Sequence, residues 1–327
     1  VKHVLSSVPR TGVRLRKGDE VSSRFFVRRL FRSILVLIGV SIVVFAIVRI
    51  IPGDPVRLML PIDATQEEVE LFRERMGFNK PLYRQYLIYM RGILKGDLGT
   101  SLRYRRPVMG LILERLPATF ELAMAGTFLA VIIAVPAGVL AAWKQGSFFD
   151  SFFMFVTMVG QSVPIFWLGI MLILVFSVSL GLLPTSGRGN LAQLIMPGFT
   201  LATFFMALLA RLTRSSVLEV LGQDYVQTAR SKGLREQVVL FRHVLKNALI
   251  PIVTILGLQV GTLLGGSVIT ETVFAWPGIG TLAVGAIYNR DYPLVQGTVL
   301  ISAFIFVGIN IVVDFVYLYL DPRIRYD

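Results

Sequence analysis

Residues Gln223–Pro251 read QDYVQTARSKGLREQVVLFRHVLKNALIP. Apolar runs flank this stretch on both sides, yet it holds Arg230, Lys232, Arg235, Arg242 and Lys246. The pattern predicts a short helix from Asp224 to Lys232, stopped by Gly233 in the left-handed conformation that a helix end favours. A second helix is expected from about Arg235, with Glu236 in its first turn and Lys246 near its last, matching the helix dipole. Leu234, Val238, Phe241 and Leu245 recur at spacings of four, three and four, so they form an apolar stripe expected to pack on a neighbour. Such a unit at a membrane surface has three readings: it lies on anionic lipid, it is laid into a partner's groove, or it is a lever against a soluble partner.

The membrane setting comes from composition. Of 327 residues, 54% are hydrophobic and only 16% charged, where soluble domains average about 25%; the mean hydropathy is +0.70. The net charge of +13 fits Lys and Arg held in the cytoplasmic loops of a membrane protein better than nucleic-acid binding. Cysteine is absent and the only histidines are His3 and His243. Disulfides, thiolate metal sites, a cysteine nucleophile and a multi-histidine metal site are thereby excluded.

A bilayer core takes about 20 apolar residues per helix. By that measure six spans are expected: Ser33–Ile51, Ala118–Trp143, one within Ser151–Leu180 interrupted by Pro164, Ala192–Leu212, Leu249–Thr270 and Val299–Leu320. Nine Lys or Arg precede Ser33, and seven lie from Arg211 to Lys246, whereas the short loops on the other side carry Arg188 and Arg290. Basic residues concentrate in cytoplasmic loops, so both termini and the opening stretch are expected in the cytoplasm. The expected units are a basic tail 1–32, a first span 33–51, an outer segment 52–117, a five-helix core 118–320 containing loop 213–248, and a C-terminus 321–327.

The outer segment reads as a small helical subdomain. TQEEVELFRERMG has Thr65 and Glu68 in capping-box spacing and Gly77 as its stop,. PLYRQYLIYMRGIL is a second helix with Tyr83, Tyr86, Leu87, Met90 and Leu94 on one face, expected to pack on a partner helix or the membrane surface.

No Gly-Lys dipeptide, His-Glu-x-x-His or Gly-x-Ser-x-Gly occurs, so P-loop, zincin and hydrolase chemistry lack their signatures. The fifth span carries Gly257, Gly261 and Gly265 on one stripe, which predicts a close helix neighbour. Gln161, Ser162, Gln259, Asn310 and Asp314 are polar groups at or near membrane depth. They line a pathway or make interhelical hydrogen bonds; Asp314 also fits the cytoplasmic interface. A lone His243 is expected to make an oriented structural hydrogen bond rather than to bind metal or sense pH. Trp276 and Pro277 fit the anchor of a loop at the outer interface,.

TARSKGL followed by RHVLKNALIP resembles the coupling-loop signature of ATP-binding cassette importer permeases, in the branch that takes dipeptides, oligopeptides and nickel. Gln227, Thr228, Ala229 and Gly233 stand at the first signature places, and His243, Asn247, Ala248 and Pro251 follow the branch's own form. RIIPGDP, GDLGTS, RLPATFELA, SVPIFWLG, ETVFAWPGIG and RDYPLVQG extend the resemblance from about Arg24 to Arg325. It resembles the first of the two permease subunits of a dipeptide/oligopeptide importer.

The resemblance implies an all-α integral membrane protein of the bacterial cytoplasmic (inner) membrane: the type I importer permease fold with six transmembrane helices and a helical extracytoplasmic subdomain. It implies a permease that is not itself an enzyme. Its partners are a second homologous permease forming a heterodimer, one or two cytoplasmic ATPase subunits that bind ATP and magnesium, an extracytoplasmic substrate-binding protein and membrane lipid, with no nucleic acid, metal or cofactor in this chain. Tyr225, Thr228, Ala229, Arg230, Lys232, Gly233, Leu234 and Arg235 would contact the ATPase, with Ala229 giving close approach to its groove. His243, Asn247 and Pro251 would shape the loop. Gln161, Ser162, Gln259 and Asn310 would line the pathway, and Trp276, Pro277, Asp291 and Tyr292 the outer gate. Nickel chelates or glutathione as cargo, and a scaffold or receptor with a basic lipid- or partner-binding loop, are the alternatives.

Overall fold

The computed structural model describes residues 18–50, 56–57, 60, 64–75 and 77–320. Residues 1–17 of the basic tail, most of RIIPGDP, and Arg323 and Arg325 lie outside the described residues.

The described chain is helical, with one isolated antiparallel bridge between Thr100 and Pro107. In order it forms α1 (Gly18–Ile50), α2 (Gln66–Arg75), α3 (Leu82–Leu94), α4 (Val108–Trp143), α5 (Phe148–Ser162), α6 (Ile165–Leu172, extended by π turns over Ile173–Ser179), α7 (Leu191–Leu221) and α8 (Asp224–Ser231). Then come α9 (Glu236–Val238, π turns over Val239–Val244, then Leu245–Gly266), α10 (Val268–Val273), α11 (Ile279–Tyr288) and α12 (Tyr292–Leu320). Four of these are long and apolar enough to cross a membrane on their own: within α1, α4, α7 and α12. Counting the two bent pairs, α5 with α6 and the two parts of α9, as one span each gives six.

Several boundaries differ from the sequence expectation. Gly18–Arg32 is not a free tail but the first turns of α1. α4 begins at Val108 and runs through Pro117 and Pro136. Pro117 costs one ladder bond but does not end a helix that neighbours and apolar packing hold in place. The interruption at Pro164 is sharp: α5 and α6 meet at 102°, because Val163 and Pro164 are both extended. The helix from Glu236 does not stop near Lys246; it continues into the span, bending 42° around Pro251.

Small residues let α4 and α7 form the most extensive pairing. Ala130, Ala134, Ala141 and Ala142 of α4 are buried, as are Ala202, Ala207 and Ala210 of α7. A Cβ on Gly138 would sit 2.6 Å from the Ala210 carbonyl oxygen and 2.7 Å from Thr213 Cβ, so bulk there would push the helices apart. Two glycines of the predicted stripe face α12: a Cβ on Gly257 would meet Val313 at 2.8 Å, and one on Gly261 would meet Ile309 at 3.5 Å; the surroundings of Gly265 lie outside the described residues.

α1 lies at the edge, with α12 as its main partner. Ile34, Leu35, Ile42 and Val43 point outward, as expected of a lipid-facing helix. Arg29 of α1 pairs with Asp314, the one acidic side chain of α12. The α5 to α4 turn is fixed by Asp150, which is buried and takes two bonds from Arg214 of α7 at 2.6 and 2.7 Å.

The outer helices form as read. Thr65 N–H donates to Glu68 (2.8 Å) and Glu68 N–H to Thr65 Oγ1 (3.3 Å), and Gly77 takes φ +72° at the helix stop. Part of the expected face of α3 packs on a helix: Tyr86, with Tyr89 beside it, turns onto α1, whereas Tyr83, Leu87 and Leu94 remain exposed.

Candidate functional site

The end of the bundle that carries the opening stretch is organised around α8, Gly233 and the start of α9. Asp224 supplies the acid in the first turn of α8. Lys232 and Gly233 N–H close the last turn on Thr228 and Arg230 carbonyls at 3.1 and 2.9 Å. Gly233 has φ +73°, with nothing within 4 Å of where a Cβ would stand. The glycine is therefore required by backbone conformation and not by crowding.

One side of this unit is buried in the chain's own bundle. Val226 and Ala229 pack with Val139 and Ala142 of α4, Val217 of α7, and Val239, Leu240, Val244 and Ala248 of α9. Ala229, at 5% exposure, thus faces inward; its small side chain brings α8 close to α9 rather than opening a path for a partner. Asn247 donates to the Tyr225 hydroxyl (2.9 Å) and to the His243 carbonyl (3.1 Å), so α8 and α9 are tied by a polar bond as well. Half-buried His243 offers its backbone to that bond. Pro251 sits at the bend of α9.

The other side is open. Tyr225, Thr228, Arg230, Lys232, Leu234 and Arg235 are exposed. Thr228 turns its hydroxyl back onto the Asp224 carbonyl (2.9 Å). Arg230 reaches across the glycine to Glu236 with two bonds, at 2.9 and 3.2 Å. Among the described residues no ion pair engages Lys232 or Arg235. Of the stripe Leu234, Val238, Phe241 and Leu245, only Leu245 packs inward: Phe241 is 65% exposed, and Leu234 and Val238 are also outside. The buried stripe is Val239, Leu240, Val244 and Ala248, one position round the helix. Hydrophobic spacing gives an apolar face, but both flanks of this helix are apolar, so spacing alone does not say which meets the bundle. The result is an exposed apolar strip rimmed by two unpaired cations, the surface expected of a docking site.

The expected pathway residues do not converge. No hydrogen bond links any two of the four among the described residues. Gln161 accepts from Arg211 Nη2 at 2.7 Å, joining α5 to α7. Ser162 donates to the Met158 carbonyl, Gln259 accepts from Thr262, and Asn310 donates to the Phe306 carbonyl, each within its own helix. An open apolar cleft of about 520 Å³ lies at the elbow of α5 and α6, lined by Phe155, Met158, Ser162, Pro164, Phe166 and Trp167 among others.

At the opposite end, the expected gate residues are mostly under the surface. Trp276 is fully buried and donates its indole N–H to the Ala118 carbonyl at 2.7 Å; Pro277 is half-buried. Trp276 therefore packs as a plug against α4. Tyr292 is buried too. Asp291, fully buried, accepts from Ser101 Oγ (2.5 Å), Arg103 N–H (3.1 Å) and Leu294 N–H (3.3 Å). It caps α12 and binds the outer segment to it in one stroke.

Sequence reasoning missed Glu271. It is fully buried and accepts from Thr119 Oγ1 (2.9 Å), Ser267 Oγ (2.8 Å) and Thr281 N–H (3.0 Å). Thr119 in turn accepts from Ile279 N–H at 2.8 Å. A buried carboxyl needs such partners, and these come from α4, from Ser267 just before α10, and from α11. The available signal was an acid inside an apolar run followed by Gly278 and Gly280, whose missing side chains make room for it.

The descriptions of known proteins agree with this architecture. The family model "Binding-protein-dependent transport system inner membrane component" matches residues 134–326, and the model of its N-terminal region matches residues 22–123. The dipeptide transport system permease protein DppB of Alkalihalophilus pseudofirmus is 45% identical over 92% of this chain and 99% of its own length. The di/tripeptide transport system permease protein DppB of Pseudomonas aeruginosa is 44% identical over 92% and 98%. Among solved structures, the inward-facing MetNI methionine ABC transporter matches 65% of this chain and 97% of its own at TM-score 0.54 and 21% identity, a likeness of fold.

Proposed function

The chain belongs to the family of binding-protein-dependent transport system inner membrane components, and from that premise we propose that it is the permease of an ATP-driven peptide importer, forming half of the translocation pathway. It is a multi-pass protein of the inner membrane and not an enzyme. The second half is a homologous permease in a heterodimer. Two cytoplasmic ATPase domains bind ATP and magnesium, and a separate binding protein delivers di- or oligopeptides to the outer face. Both termini and α8 are cytoplasmic, in line with the basic residues around them.

The observation that carries this reading is the exposed apolar and cationic face beside Gly233. Lys232, Leu234, Arg235, Val238 and Phe241 are its ATPase contacts; Arg230 is held by Glu236. ATP-driven approach of the ATPase domains draws α8 of the two permeases together, and the tie of α8 to α9 passes that motion to the span. Ligand and nucleotide bias the two states only by their differential affinity for them. Gln161 at the elbow, with Arg211, is the best-supported pathway group, and Glu271 with Trp276 holds the outer loop.

The test is a single cysteine at Lys232, cross-linked to the ATPase in membranes, alongside uptake of a labelled dipeptide. A cross-link whose yield changes with ATP, with uptake reduced about tenfold by Gly233→Val, is the expected result. Normal uptake with that variant and no cross-link would overturn the reading.

A further inference from the structure

α3 is held at a definite depth by its contact with α1. The Tyr86 and Ser41 hydroxyls are 2.8 Å apart. The Phe45 ring meets Tyr86 edge-on with centroids 5.2 Å apart, and Tyr89 at 5.7 Å. The first charged residue after the apolar run of α1 is Arg49. Ser41 and Phe45 precede it by about 12 Å and 6 Å at the helical rise per residue. α3 therefore lies beside the last turns of the span, not above them in water.

Its surface matches that depth. Tyr83, Leu87 and Leu94 share one flank and are 62%, 62% and 83% exposed. Arg84 and Arg91 occupy the adjoining flank, and the helix carries no Asp or Glu. The Arg84 guanidinium lies 6.0 Å from the Tyr83 ring centre. An apolar flank beside a basic one is the pattern of helices lying in the membrane interface, about 5–10 Å into the headgroup and acyl boundary.

We propose that α3 is an interfacial helix that lies in the phospholipid surface where α1 leaves the membrane. Tyr83, Leu87 and Leu94 enter the acyl region, and Arg84 and Arg91 meet lipid phosphates. The helix thereby pins the segment between α1 and α4 to the bilayer, so that this segment is supported by lipid as well as by protein.

The absence of cysteine makes a direct test available. The full chain, purified with its partner subunits, carries Leu87→Cys with a spin label in nanodiscs of phosphatidylglycerol and phosphatidylethanolamine. Val43→Cys is the lipid reference and Glu67→Cys the water reference. At position 87 collision with oxygen is expected to exceed collision with a nickel chelate, as at 43 and opposite to 67. A water-like reading at 87 would overturn the proposal. So would a label shielded from both probes, because that marks a protein partner on the helix. Tyr83→Cys reads the same flank if the first variant does not accumulate, with the same outcomes deciding.

Discussion

A Cβ on Gly278 would lie 2.3 Å from the carboxyl carbon of Glu271. The glycine and the acid are thus a single device: the chain leaves a gap, and the buried carboxyl fills it while bonding to three elements. Gly280 leaves room on another side, where a Cβ would be 2.7 Å from Oε2.

Gly278→Ala is therefore expected to destabilise the protein by about 1–3 kcal/mol, the cost of overpacking a fixed site. Glu271→Gln keeps the shape but turns an amide N–H₂ toward the Thr281 N–H or the two hydroxyls, at a cost of about 1–3 kcal/mol for the unmet donor. Thermal unfolding in detergent should show both losses; an unchanged midpoint for Glu271→Gln would remove the latch.

Gly233 separates strain from crowding. Its φ of +73° disfavours a β-branched residue by about 1–2 kcal/mol, while the space around it is open. Gly233→Val should reduce uptake about tenfold with normal membrane levels, and Gly233→Asn, which tolerates left-handed backbone, should retain most of it. Equal loss in both variants would mean that the partner needs the missing side chain instead.

The three cations of the coupling unit should respond differently. Arg230 and Glu236 form an exposed pair, which contributes about 0.2–1 kcal/mol, so Arg230→Ala should leave the unfolding midpoint nearly unchanged. Lys232→Glu, Arg235→Glu and Phe241→Asp face outward and should lower peptide-stimulated ATP hydrolysis without changing the fold. ATPase assays on the assembled transporter, beside circular dichroism, check this; full coupling in Phe241→Asp would mean that the strip is not covered by the ATPase.

Asp150 and Arg214 give an intermediate case. Asp150 is 6% exposed at its side chain and Arg214 26%. Removing Arg214 should cost more than the ~1 kcal/mol of an exposed pair and less than the ~3–5 kcal/mol of a fully buried one. Arg214→Ala compared with Asp150→Asn in the same unfolding assay measures it. A loss below that of Arg230→Ala would show that water already serves the carboxylate.

Composition, apolar run length and the glycine stop of α8 were local properties, and the chain alone determined them. Burying about 20 apolar residues in lipid and setting φ positive at Gly233 depend on residues next to each other in sequence. The capping box at Thr65 was legible for the same reason. What the tertiary structure decided was direction. The face of α9 that packs, the inward turn of Ala229 and Trp276, and the exposure of Tyr83 and Leu87 depend on which neighbour arrives. A helix apolar on two flanks gives no local preference between them. Glu271 belongs to this second class: its partners Thr119 and Thr281 lie 152 and 10 residues away. A carboxyl far from its donors in sequence is only a misplaced charge until folding brings the donors to it.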